Sequence, residues 1–293
     1  MVNIVLSSSY MRQLFALLLI SLSFNTLALG KDGHVLVCES TWQQLAQDDR
    51  QKIRAILKTV PSKEKQRINR YLNLPSQQAL TFANGCNWPD AIKRDKLYDQ
   101  YKPWHYINVK RNHTRVSKDS CSANKPCITY AIHTHLQHLK AAFNEQQLWQ
   151  ALFFLGHWLG DIHQPLHVSF SSDRGGNQVK TSSFYRHCDN LHAVWDYCLL
   201  DGKSNKKWLQ IMQQKMPDYS TEQAIDITRW ANESLQISRL PTTGYCQLKG
   251  ELCQSLSHPT VIDPLYVKTN QQILLQQMSK AAQRLKIILK KYL

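Results

Sequence analysis

The chain has 293 residues, with 10 glycines, 10 prolines and 43% hydrophobic content. That composition excludes a linker-divided or low-complexity architecture and suffices for one sizeable core. Lys and Arg number 36 against 21 Asp and Glu, a formal charge of +15 that attracts nucleic acid or anionic lipid headgroups but equally serves plain solubility.

In chain order, residues 1–28 read as a signal peptide. Arg12 is their only charged side chain, and the apolar run from Leu14 to Phe24 is too short to span a bilayer comfortably. Thr26-Leu27-Ala28 supplies small or tolerated residues before a cut. The mature protein is therefore expected to begin at Leu29, to form one domain over 29–293, and to be periplasmic or secreted. An uncleaved anchor is the alternative. Helical spacing runs through Trp42 to Leu57 and again around Leu148 to Leu159. Loop signals lie at Asn84-Gly85 to Pro89, Ser117 to Pro126 and Ser171 to Gly176. Val179 to Phe184 is the best period-two run and is expected as a short hairpin. Leu274, Met278, Ala281, Leu285 and Ile288 recur at four and three residues, an amphipathic C-terminal helix. The fold class is all-α, a mainly helical domain with at most a short β-hairpin.

Eight cysteines in an exported chain fit disulfides. Spacing suggests Cys121 with Cys127, Cys188 with Cys198 and Cys246 with Cys253, leaving Cys38 and Cys86 for a long-range bridge. About 105 pairings are open on number alone.

The chemistry concentrates between His157 and Asp196. His157 and Asp161 are four apart, so on a helix they face one way, and His192 and Asp196 repeat that spacing. Imidazole nitrogen and carboxylate oxygen are ligands that zinc accepts. Pro165 should end the first helix and place His167 beyond it. A lone His-x-x-x-Asp pair is more often an exposed hydrogen-bonded pair. Two such pairs among Trp158, Leu159, Leu191 and Trp195 are harder to dismiss, because buried histidine and aspartate are costly unless paired or metal-bound. His133, His135 and His138 are expected on an exposed helix face, and His163 in a structural hydrogen bond.

Matching blocks now accumulate: GH at Gly33-His34, WPD at Trp88 to Asp90, WHYIN at Trp104 to Asn108 and CITYAI at Cys127 to Ile132. HWLGDIHQPLH from His157, DRGGN at Asp173 to Asn177, NLHAVWD ending at Asp196, WANES at Trp230 to Ser234 and KAAQRL from Lys280 follow. In this order they resemble the zinc-dependent single-strand nucleases of the S1/P1 type. The resemblance implies a phospholipase C-like or zinc nuclease-like all-α fold with three zinc ions at the bottom of a cleft. By motif match Asp90, His105, His157 and Asp161 hold the first zinc, and His167, His192 and Asp196 the second. The third falls to His34, a bridging Asp161, and the main-chain nitrogen and oxygen of Leu29, whose amine exists only after processing.

The implied chemistry is in-line phosphodiester hydrolysis of single-stranded DNA and RNA to 5′-phosphorylated products, with 3′-nucleotides also cleaved. Asp161, Lys93 and Asn108 stand nearest the reaction. Lys93 would neutralise a phosphate oxygen, Tyr106 would stack a base, and Asn177 of DRGGN would contact substrate. Two positions depart from the family pattern. Leu29 replaces a common tryptophan, and Asn108 stands where many members carry an aspartate, so it cannot serve as a general base. A monomer without stable membrane association after cleavage is expected. The rival readings are a zinc phospholipase C and a non-catalytic zinc- or nucleic-acid-binding protein.

Overall fold

In the computed structural model, which describes residues 29–183, 187–214 and 225–293, the chain opens on helices α1 (Lys31–Gln44) and α2 (Gln47–Thr59). The continuous helix expected through Trp42 to Leu57 is thus broken. Leu45 and Ala46 are extended, Leu45 is buried, and Asp48 and Asp49 start α2 where the helix dipole favours negative charge. Helix α3 (Ser62–Tyr71) and the short turns α4 (Phe82–Gly85) and α5 (Trp88–Ala91) follow. Strand β1 (Ile107–Val109) leads to α6 (Ile128–Lys140) and α7 (Glu145–His163).

Helix α7 is the axis of the fold. Asn144 caps it by accepting the Gln147 amide at 2.8 Å, and Pro165 follows two residues after its last turn. From Ala151 to His163 every residue is buried, the pattern of a helix enclosed on all sides. It packs against α1, α2 and α6, and against the later helices α10 (Ile227–Ser238) and α11 (Pro264–Tyr292). The five apolar positions anticipated in the C-terminal helix all lie buried in α11. His135 corrects an expectation: only His133 is exposed. His135 is buried against Trp104, Phe154 and Trp158, and burial pushes its pKa down to about 3.

Strand β2 (Val168–Phe170) pairs in parallel with β1, Asn108 opposite Ser169, and so lays the His105–Asn108 segment beside His167. Of the expected Val179–Phe184 hairpin the described residues show an antiparallel bridge between Lys180 and Asn190. The described part of that segment gives β3 (Thr181–Ser183), which pairs in parallel with the distant β6 (Thr260–Ile262), and Phe184 lies outside the described residues. A hairpin occurs between β4 (Gln247–Lys249) and β5 (Leu252–Gln254), turned at Gly250 with φ 58°. Between β3 and these strands lie α8 (Leu191–Asp196) and α9 (Asn205–Gln214).

All four disulfides join the pairs that spacing suggested: Cys38–Cys86, Cys121–Cys127, Cys188–Cys198 and Cys246–Cys253. Cys38–Cys86 ties α1 to the end of α4, directly against Gly156 of α7. Behind the other end of α7, buried Arg284 donates to His163 Nε2 at 2.7 Å and to Glu233 at 2.8 Å. Ser234 donates to the Ile162 carbonyl at 2.6 Å. The WANES and KAAQRL blocks are therefore braces for α7, and His163 has the structural role expected of it. Asn232 of the WANES block accepts from the Val116 amide at 2.7 Å and donates to its carbonyl at 2.9 Å. Among the described residues no helix is long and apolar enough to cross a membrane.

Candidate metal centre and cleft

His157 and Asp161, one turn apart on α7, are fully buried and face the same space. His157 donates its Nδ1 proton to the Cys86 carbonyl at 2.8 Å, which leaves Nε2 as a lone pair aimed inward. Two other histidines repeat the arrangement. His167 donates Nδ1 to the His105 carbonyl at 2.8 Å, and His192 donates to the Gly175 carbonyl at 2.7 Å. Each backbone acceptor fixes a tautomer that offers Nε2 as a ligand.

Asp161 joins two halves of the site. Its Oδ1 lies 3.3 Å from the Leu29 backbone nitrogen and 3.4 Å from His34 Nε2. Its Oδ2 lies 3.0 Å from His105 Nδ1 and 3.2 Å from His157 Nε2. Asp90 Oδ1 is 3.6 Å from His157 Nε2 and 3.9 Å from His105 Nδ1. Across the floor, Asp196 Oδ2 is 3.3 Å from His192 Nε2, and Asp196 Oδ1 is 3.6 Å from His167 Nε2. Within each of the triplets Asp90/His105/His157, His34/His157/Asp161 and His167/His192/Asp196, the donor atoms lie within 4.8 Å of one another.

The donor set fits a metal ion. Ligands bonded at about 2.0–2.1 Å to one tetrahedral zinc stand roughly 3.3 Å apart, the spacing seen here. Both nitrogens of His34 and Nε2 of His167 are buried without a hydrogen-bond partner. Such groups are costly in a protein interior unless something else satisfies them. Burial, helped by the neighbouring His157, pushes the His34 pKa down to about 4. Burial and Lys93 push that of His105 to about 3, so both are neutral and able to ligate at neutral pH. Burial alone would raise Asp90 and Asp161. Lys93 and His157 outweigh it for Asp90, and His157 and His167 for Asp161, holding both below the usual carboxylate range. Burial would likewise depress His167, but Asp161 and Asp196 raise it. Three carboxylates and five imidazoles thus converge out of water, an arrangement that calls for bound cations. A further group, His187 with Cys188 and Cys198, has its two sulfurs committed to a disulfide.

The glycines explain how the chain gets so close. A Cβ on Gly33 would meet Leu29 Cγ at 2.5 Å, and one on Gly160 would meet His34 Nδ1 at 2.8 Å. In DRGGN, Arg174, Gly175 and Gly176 all have positive φ, which turns the Gly175 carbonyl onto His192. Asp173 anchors that loop by accepting from the Gly176 amide and the Tyr245 hydroxyl, and by its ion pair with Arg111.

Over the cluster opens a cavity of about 150 Å³, lined by His105, His167 and His192 together with Lys93, Tyr106, Asn108 and Asn177. Every substrate-contact residue anticipated from sequence therefore borders one space. Tyr106 stands 37% exposed at the rim. The Asn108 amide oxygen is buried without a partner. Asn177 donates to the Arg174 carbonyl at 2.8 Å, and Lys93 reaches Asp90 Oδ1 at 2.6 Å. Sequence reasoning missed Lys102 and Arg174, which also line the cavity. It also missed two supports. Tyr71 donates to Asp90 Oδ2 at 3.1 Å, and Gln164 donates to Asp196 Oδ1 at 2.7 Å. Gln164 sits inside the HQPLH block, a signal that could have found it; Tyr71 lies in no such block.

A family model described as S1/P1 Nuclease matches residues 29–293. The chain is similar to Endonuclease 4 of Arabidopsis thaliana, 30% identical over 249 residues that cover 79% of this chain and 77% of that protein. It is similar to Nuclease S1 of Aspergillus oryzae, 32% identical over 117 residues, 39% of this chain and 40% of that one. Nuclease P1 of Penicillium citrinum is 24% identical over 189 residues, covering 55% and 68% respectively.

Proposed function

The chain belongs to the S1/P1 nuclease family, and from that premise we propose an exported, zinc-dependent nuclease that cleaves single-stranded DNA and RNA to 5′-phosphorylated products and also acts on 3′-nucleotides. The observation that carries this reading is the convergence of Leu29 N, His34, His105 and His157 on the two oxygens of Asp161 beneath a cleft. Three zinc ions are assigned to the residues named from the motif match. Zinc held there supplies Lewis-acid stabilisation of phosphoryl charge and lowers the pKa of water.

The chain's own residues supply the rest. Lys93 places a cation at the wall the scissile phosphate meets. Asn108 can accept a hydrogen bond from water and orient it, but cannot remove its proton. Tyr106 offers an exposed ring for a base, a contact indifferent to sequence and closed to bases held in a duplex. A 150 Å³ cavity is smaller than the roughly 300–1,000 Å³ of ordinary ligand pockets, which suits one phosphate and an unstacked base. The buried Leu29 nitrogen supports removal of residues 1–28, since cleavage there converts an amide into an amine ligand. Four disulfides fit an extracytoplasmic site of action.

The test compares zinc-loaded protein on denatured DNA, duplex DNA and phosphatidylcholine vesicles. Rapid cleavage of denatured DNA alone is expected. Lipid hydrolysis without DNA cleavage would make it a phospholipase, and zinc binding with no turnover of any substrate would make it a binding protein.

A further inference from the structure

A second, larger cleft of about 460 Å³ adjoins the catalytic cavity: Lys93 lines both, and Asp90 lies in its wall. Tyr71 links that wall to the metal cluster through its hydrogen bond to Asp90. The cleft gathers five cationic side chains, Lys31, Arg67, Arg70, Lys93 and Arg94, against the single carboxylate of Asp90. Arg67 is neutralised by Glu64 at 3.3 Å and Asp95 at 3.0 Å, and Lys31 lies over the Tyr71 ring at 4.6 Å. Arg70 and Arg94 are exposed at its edge.

We infer that this cleft is a phosphate subsite that holds the backbone of the same strand whose scissile phosphate lies over the metal cluster. The inference rests on the nuclease reading and extends it. The strand passes from the Tyr106 rim, across Lys93, into a channel whose recognition is electrostatic and independent of base sequence. Cations spread beyond the scissile position favour long strands over nucleotides that end there, so the cleft biases the enzyme toward internal cleavage.

The experiment uses the zinc-loaded Arg70→Ala/Arg94→Ala protein, with an unchanged melting temperature as the control for folding. The KM for a single strand of about 12 nucleotides should rise on the order of tenfold, while kcat, and both constants on a dinucleotide, stay as in the wild type. The slope of log affinity against log salt should fall by about 1.4, or 0.7 for each phosphate that an arginine no longer neutralises. An unchanged KM and slope on the long strand overturn the inference. Weaker inhibition by inorganic phosphate with an unchanged long-strand KM would reassign the cleft to free phosphate, and also overturns it. If wild-type protein turns over neither substrate, the nuclease reading fails. Fluorescence anisotropy of the labelled strand on the same zinc-loaded proteins then still decides the cleft.

Discussion

Removing the Cys38–Cys86 bridge should cost far more than removing Cys121–Cys127, and should reach the metal site. The first closes a loop of 48 residues and the second a loop of 6. Loop-closure entropy assigns about 4 kcal/mol to the first and about 2 kcal/mol to the second. In a domain of this size each kcal/mol moves the melting temperature by about 2–4 °C, so Cys38→Ala/Cys86→Ala should melt about 8–16 °C lower. Cys121→Ala/Cys127→Ala should lose about half of that. The long bridge also sets the Cys86 carbonyl that fixes the His157 tautomer, so zinc affinity should fall for that variant alone. A Cβ on Gly156 would collide with both sulfurs. Gly156→Ala should therefore be destabilising when the bridge is present and tolerated once it is gone, a non-additive cycle. Calorimetry and metal titration of the variants read all three effects. Equal melting losses for the two bridges, or additive Gly156→Ala effects, would refute the reasoning.

Gly33→Ala, whose Cβ meets Leu29, should displace Leu29 and lower zinc content by about one ion while the fold persists; full zinc content with normal activity would contradict this. Asn108→Asp should raise kcat toward the ~10²-fold that a placed general base contributes, measured on denatured DNA. No increase would mean that water activation does not pass through this position. Glu233 has its pKa lowered from 4.5: burial opposes the shift, but Arg284 and Lys280 outweigh it. The stability it contributes is present above pH 4.5 and lost as pH falls through the lower folded value. Glu233→Gln should therefore be less stable near neutrality and show a flatter loss between pH 5 and 3 in denaturant titrations. A wild-type slope in the variant would rule that contribution out.

The pairs His157/Asp161 and His192/Asp196 were legible because local spacing carries them, whereas Leu29, His34, Asp90 and His105 came only from the resemblance of their motifs to a family. His157 and Asp161 share a helix face, Pro165 stops that helix, and two of the three positive-φ positions in DRGGN are the glycines Gly175 and Gly176. What stayed hidden depends on distant partners. Apolar spacing continues past Leu45, so nothing local announces the break between α1 and α2. β3 finds its partner at Thr260–Ile262, and no hairpin signal reveals a pairing across that distance. His135 reads as a surface histidine because Trp104, Phe154 and Trp158 reach it from other parts of the chain. Tyr71 becomes a support for Asp90 only once α3 packs beside α5.

Native mass spectrometry of the purified protein, with the mass of its first peptide, bears most directly on the proposal of a cluster completed by processing. A chain starting at Leu29 and carrying three zinc ions is the expected result. A chain starting elsewhere, or a stoichiometry below three in active protein, would contradict the assignment of Leu29, His34 and Asp161 to a shared ion.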